Sequence, residues 1–311
     1  MGYKRAGFRV LGNVELDKPI NAMYVKNHHP KYNYCMDLRD FNALENLPDE
    51  LYRLDILDGS PPCSVFSTAG ERDKNWGKEK KFREGQKEQR LDDLFFVFLE
   101  TARKLKPRVI IAENVTGLIK GKARGYVREI INGFHDAGYE VQLFKLNAMY
   151  MDVPQQRERV FFIANNQGFN KLTLSFDRPL IPFGKVRTEH GKPLSEKSVK
   201  TRTLLKYYRP SDVSMGNIKH RLLGTDSRNC ASNRICSDAR IVNTITSGGI
   251  YIRAYDFDKF SDEDYINTQT FPQDYDFCGN NVQYVCGMSV PPNMMAHIAT
   301  QVYEQWFKGS E

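Results

Sequence analysis

The sequence predicts an α/β protein: a parallel sheet with helices packed on it, followed by a smaller irregular region. Three observations lead there. Short apolar runs alternate with helix-period runs from Phe8 to Ala164. Three candidate strands end in an acid (Glu15, Asp37, Glu113), which marks one functional edge of the sheet. The alternation stops near residue 166, after which Pro179, Pro182, Pro193 and Pro210 interrupt any period.

Taken in order, Phe8 to Glu15 alternates and reads as a strand. Asp17 to His29 reads as a helix, with Asp17 as N-cap and Ala22, Tyr24 and Val25 on its apolar face. Tyr34 to Asp37 and residues 54–58 give two further strands. Residues 70–89 hold many charges and few hydrophobes, the composition of a mobile loop. Leu91 to Leu105 places Leu94, Phe95, Phe98, Leu99 and Ala102 at helical spacing, and Pro107 stops that helix. Val109 to Glu113 is a buried strand, and a helix over 123–136 closes near Gly138. Tyr139 to Asn147 and Arg159 to Ala164 read as strands. Order returns after about 260, and Pro291 opens a last helix running to about Phe307. The expected domains are 1–165, an insert over 166–258, and a segment over 259–311 that returns to the first.

The bulk properties exclude several classes. No apolar run approaches the ~20 residues that span a bilayer, and the N-terminus leads into no signal-peptide core. Ala6 stands where a myristoylation signal at Gly2 wants Ser or Thr. A soluble, cytoplasmic chain is expected. Six cysteines form no C-x-x-C pair, so neither a zinc site nor a disulfide framework is expected, and no metal. The net charge of +7 is unevenly spread: residues 166–240 hold 15 Lys/Arg against 6 Asp/Glu, a local net of +9. Such a segment is either a phosphate-facing surface or a solvated basic loop.

The densest chemical signal is Gly59-Ser60-Pro61-Pro62-Cys63, which closes the run Leu54-Asp55-Ile56-Leu57. Two prolines stiffen the loop and fix the direction of the thiol. A lone Cys is otherwise a buried structural residue. Downstream stand Glu113-Asn114-Val115, Gln155-Gln156-Arg157-Glu158-Arg159, Thr270 to Tyr275 (TFPQDY) and Gly287 to Pro292 (GMSVPP).

In this order and spacing the five segments resemble the C5-cytosine DNA methyltransferases, over nearly the whole chain outside the middle segment. The resemblance implies a Rossmann-like sheet that binds S-adenosylmethionine, with 166–258 as target-recognition domain. It implies Cys63 as the nucleophile that adds to cytosine C6 and so activates C5. It implies Glu113 as the acid at N3, its apolar strand holding the carboxyl protonated; the plainer reading is a strand-end salt bridge. Arg159 is implied at the cytosine O2 and in support of the Cys63 loop. Arg157 is implied as an organiser of the site and of nearby phosphates, with Gln155 and Ser67 as further DNA contacts. For the donor it implies Glu15 at the ribose hydroxyls, Asp37 and Leu38 near the adenine, and Pro62, Leu94, Ser289 and Val290 along the pocket. The plainer reading of Glu15 and Asp37 is helix capping. The polar loop at 70–89 resembles the one that closes over DNA, since a base inside a duplex must be rotated out before reaction.

Two departures accompany the resemblance. The family's first strand and F-x-G-x-G-G turn have no counterpart, and Gly2 to Phe8 resembles the helix that follows them. The missing strand belongs between those ending at Glu15 and Asp58, and its loss removes roughly 6–15 kcal/mol of burial. The natural protein is therefore expected to start upstream of Met1, and the chain as it stands to bind the donor poorly. Met288 stands where the family has Asn, which is expected to weaken donor binding. The reading is a monomeric enzyme on double-stranded DNA, in a restriction–modification or phage setting and associated with the nucleoid. The alternatives are a tRNA cytosine methyltransferase and a catalytically impaired DNA-binding paralogue.

Overall fold

The computed structural model describes residues 1–61, 93–120, 124–196, 198–224 and 233–308. The chain forms two compact units. The first comprises 10–146, 158–173 and 302–311; the second comprises 1–9, 147–157 and 174–301. They cut the chain at other places than the sequence suggested. Residues 259–301 stay with the middle segment, and only the last ten rejoin the sheet.

In the first unit, β1 (Gly12–Val14) leads to α1 (Lys18–His28), then β2 (Tyr32–Tyr34) and α2 (Leu38–Ala43). Asp17 caps α1 as expected, accepting the Ile20 N–H at 3.2 Å. β1 and β2 pair in parallel. β3 (Ile56–Gly59), α3 (Leu94–Leu105), β4 (Val109–Val115), α4 (Arg124–Asp136), β5 (Glu140–Asn147) and β6 (Glu158–Asn165) follow. They build a four-stranded sheet in the order β3-β4-β6-β5.

The sheet is mixed, which corrects the all-parallel expectation. β3 and β4 run parallel, whereas β4 and β6 run antiparallel with Val115 opposite Arg159. The cause is local: only residues 148–157, with no helix longer than one turn, separate β5 from β6. A parallel return needs a crossover of a dozen or more residues, usually helical.

β4 is the centre of this unit. Ile110 and Ala112 face the cluster formed by Phe95, Phe98 and Leu99 of α3, Ile130 and Phe134 of α4, and Phe162 of β6. Phe95 meets Phe162 edge-on at 5.2 Å, and Phe134 stacks on it at 6.0 Å. Val109 and Ile111, on the other face by the strand's period of two, are also fully buried. β1 and β3 differ: β1 pairs with β2 and β3 with β4, but not with each other, and Val14, Ile56 and Leu57 are half-buried.

The second unit is more ordered than its prolines suggested. It contains α5 (Val199–Leu205), α6 (Met215–Leu223), β7 (Asn233–Cys236), β8 (Val242–Asn243), β9 (Ile250–Arg253), α7 (Asp262–Gln269), α8 (Val282–Met288) and α9 (Pro292–Val302). β9 pairs with β7 in parallel. Leu205, Met215, Ile218, Ile235 and Ile252 form its core. Arg253 is fully buried, 3.4 Å from Asp264 and 2.9 Å from Asp256, and donates to the Glu189 carbonyl. The short helix Gly2–Arg5 lies on α9, where a Cβ on Gly2 would stand 2.5 Å from that of Met295.

Candidate active site

In the first unit, β3 ends two residues before Pro61, the last described residue ahead of Cys63. Its last residue, Gly59, lies opposite Ala112, one residue before Glu113. A Cβ at Gly59 would come within 2.4 Å of the Phe98 ring, so only glycine lets the chain pass over α3 there. Asn114, buried at the end of β4, donates through Nδ2 to the Pro61 carbonyl at 3.2 Å. Its Oδ1 accepts the Val115 N–H at 2.9 Å. The side chain thus ties the entrance of the loop to β4. Sequence reading had included Asn114 in a motif without giving it a task; an amide directly after the acid was the available signal. Pro62, Cys63, Ser67 and the 70–89 loop lie outside the described residues.

Glu113 and Arg159 come together. Arg159 Nε is 2.8 Å from Glu113 Oε1, and both side chains are nearly buried, at 12% and 13% exposure. The antiparallel register explains the pairing, because Arg159 faces Val115 and so lies diagonally from Glu113. Arg159 Nη1 also donates to the Glu158 carbonyl at 2.8 Å. Burial lowers the Arg159 pKa and the carboxylate opposes that shift. Glu113 Oε2 makes no further bond among the described residues. The strand-end salt bridge, the plainer reading of Glu113, is present: a guanidinium holds one of its oxygens.

Gln155 and Arg157 belong to the second unit and point inward. Arg157 is 1% exposed and donates to the carbonyls of Ile245 and Gly287, each at 2.8 Å. Gln155, 0% exposed, accepts the Ile245 N–H at 2.9 Å and donates to Gln269 at 2.6 Å. Gln269 in turn donates to the Ser289 carbonyl at 2.7 Å. The sequence had placed Gln155 and Arg157 against DNA. Both are buried and bonded within the protein, which suits the organising role: two motifs far apart in sequence, together with Ile245 and Gln269, are bonded into one nook. Gly287 fits it because a Cβ there would stand 2.3 Å from backbone atoms of Thr246 and Ser247.

The expected donor-binding residues divide between the units. Glu15 follows β1, and its Oε1 accepts the Asp17 N–H at 2.7 Å. Burial raises its pKa, partly offset by that bond. The Leu16 main chain also bonds this carboxylate. Asp37 accepts the Arg39 N–H at 2.8 Å and lies 3.4 Å from its guanidinium; it caps α2, the plainer reading. Leu38 and Leu94 are half-buried in the first unit. Ser289 and Val290, after α8, belong to the second, and Met288 is 47% exposed. Among the described residues no cluster of His, Cys, Asp or Glu is suited to a metal, and no helix is long and apolar enough to cross a membrane.

The first unit is thus a mixed Rossmann-like sheet with an acid and an arginine paired at one end. The profile of the C-5 cytosine-specific DNA methylase family matches residues 1–253, and the chain belongs to that family. It is similar to the type II methyltransferase M.FnuDI of Fusobacterium nucleatum, 33% identical over 58% of this chain and 47% of that protein. It is also similar to M.HindV of Haemophilus influenzae, 27% identical over 97% of this chain and 91% of the relative. The chain spans about half the length of M.FnuDI and of M.NgoPII from Neisseria gonorrhoeae. In fold it resembles a prophage-encoded protein of E. coli, with TM-score 0.68 at 17% identity over 98% of this chain and 94% of that one. Spodoptera frugiperda DNMT2 gives TM-score 0.63 at 15% identity over 97% and 95%.

Proposed function

We propose that the protein transfers a methyl group from S-adenosylmethionine to C5 of a cytosine rotated out of duplex DNA. The observation that carries this reading is the Glu113–Arg159 pair at 2.8 Å, on the strand end that Asn114 ties to the Cys63 loop.

The donor, when bound, supplies an electrophilic methyl carbon. Glu15 would hold its ribose hydroxyls, and Leu38, Pro62 and Leu94 would line its pocket. The Cys63 thiolate attacks cytosine C6, and the C5–C6 π electrons become available at C5. Charge accumulating toward N3 is met by a proton from Glu113 through Oε2, while Arg159 fixes the other oxygen and offers a donor toward O2. After methylation the C5 proton passes to water, the sulfur leaves as thiolate and N3 returns its proton to Glu113, which restores the ring. The family's description as DNA methylases supports DNA over tRNA, and the relatives named as type II methyltransferases support a restriction–modification setting.

The test is a covalent trap. Duplex DNA carrying 5-fluorocytosine, incubated with the protein and donor, should give a denaturation-resistant complex, and Cys63→Ser should give none. A complex with tRNA in place of duplex DNA, or an equal yield from Cys63→Ser, would overturn the assignment.

A further inference from the structure

Gln156, in the two-residue strand Gln155–Gln156, is exposed between two buried side chains, Gln155 and Arg157. It is in register with Asn243 of β8, which places the two amide side chains on one face. Together with Arg240 they line a cleft of about 550 Å³, whose apolar wall is formed by Leu180, Pro182 and Ile241. None of the three polar side chains makes a hydrogen bond or ion pair among the described residues. Arg178, Arg187, Arg221 and Arg253 of the same unit each pair with an aspartate, and Arg240 does not among the described residues. The cleft lies in the unit that carries most of the basic 166–240 segment.

We propose that Gln156, Arg240 and Asn243 read base edges in the major groove beside the target cytosine. Arg240 takes a guanine, and the two amides take an adjacent adenine. The inference rests on the reading of the protein as a DNA methyltransferase. Its chemistry is that of direct readout: a guanidinium fork matches guanine O6 and N7, and a carboxamide matches adenine N6 and N7. The apolar wall suits the methyl group of the paired thymine. The local excess of positive charge suits a polyanionic duplex. Donors kept free of aspartates and aimed into a cleft are available to bases; a phosphate would need only a protruding charge.

The experiment selects bound duplexes from a library randomised around a central cytosine, using the full chain, Arg240→Ala, Gln156→Ala and Asn243→Ala. Methyl transfer from labelled donor is measured on the same samples. Wild type should enrich one motif, and Arg240→Ala should lose preference for guanine at one position by roughly 5- to 150-fold. Gln156→Ala and Asn243→Ala should relax the neighbouring adenine. The salt dependence of binding should not change. If Arg240→Ala weakens all sequences alike and lowers the salt slope by about one, the residue is a phosphate contact and the proposal fails. If wild type methylates DNA and all variants enrich the same motif, the proposal fails while the catalytic reading stands. If wild type neither enriches a motif nor transfers methyl, both fail.

Discussion

Arg157 and Arg159 lie two residues apart in one motif, yet their surroundings have opposite purposes. Arg157 sits in the second unit at 1% exposure and spends its donors on two main-chain carbonyls. Arg159 sits in the first unit and faces a single carboxylate, Glu113, at 2.8 Å. A guanidinium bonded to carbonyls fixes backbone; one bonded to a carboxylate fixes the position of that side chain. The spacing R-x-R is the same for both tasks, and only the partners distinguish them.

That contrast is broken or sharpened by substitution on each side. Glu113→Gln should lower the methylation rate about 10²–10⁴-fold, because the acid is gone while the amide oxygen still accepts from Arg159. Its melting temperature should stay close to that of wild type; a large fall would make Glu113 a structural partner instead. Arg157→Ala should act through stability. Two carbonyls and Gln155 lose a charged donor, which costs about 3–5 kcal/mol, and activity should fall with the folded fraction in a denaturant titration. Asn114→Ala should cost roughly 1–2 kcal/mol and slow formation of the trapped complex, since the loop entrance loses its tie to β4.

The smallest expected effect concerns pH. Burial raises the Glu15 pKa above its ordinary 4.5. A carboxyl raised on folding stabilises the fold while it is protonated, at low pH, and that contribution is lost as pH climbs through the raised value. Glu15→Gln should therefore gain stability relative to wild type as pH rises from 4.5, read from paired melting curves. A difference that is constant with pH would refute burial as the cause.

Much of the first unit was legible in the sequence. Helical spacing from Leu94 to Leu105, the Asp17 cap and the continuous apolar run of β4 are local signals, and each produced its element. Glu113 and Arg159 were legible as a motif, and their pairing follows from an antiparallel register that no local signal encodes. The burial of Gln155 and Arg157 was not legible, because alternation shows that two residues share a face without saying which face is covered. The covering segments, Ile245, Gln269 and Gly287, are roughly a hundred residues away in sequence. The last helix was legible from Pro291, but the other helices and strands of the second unit escaped notice because they are short and interrupted by prolines, so no period develops.

The close passage of Gly59 over Phe98 links the reactive loop to the packing of α3. Ring size at position 98 sets the clearance under the chain that carries the thiol. Sequence drift at these two sites is therefore coupled: a branched or bulkier residue at 59 becomes tolerable only after the aromatic beneath it has shrunk.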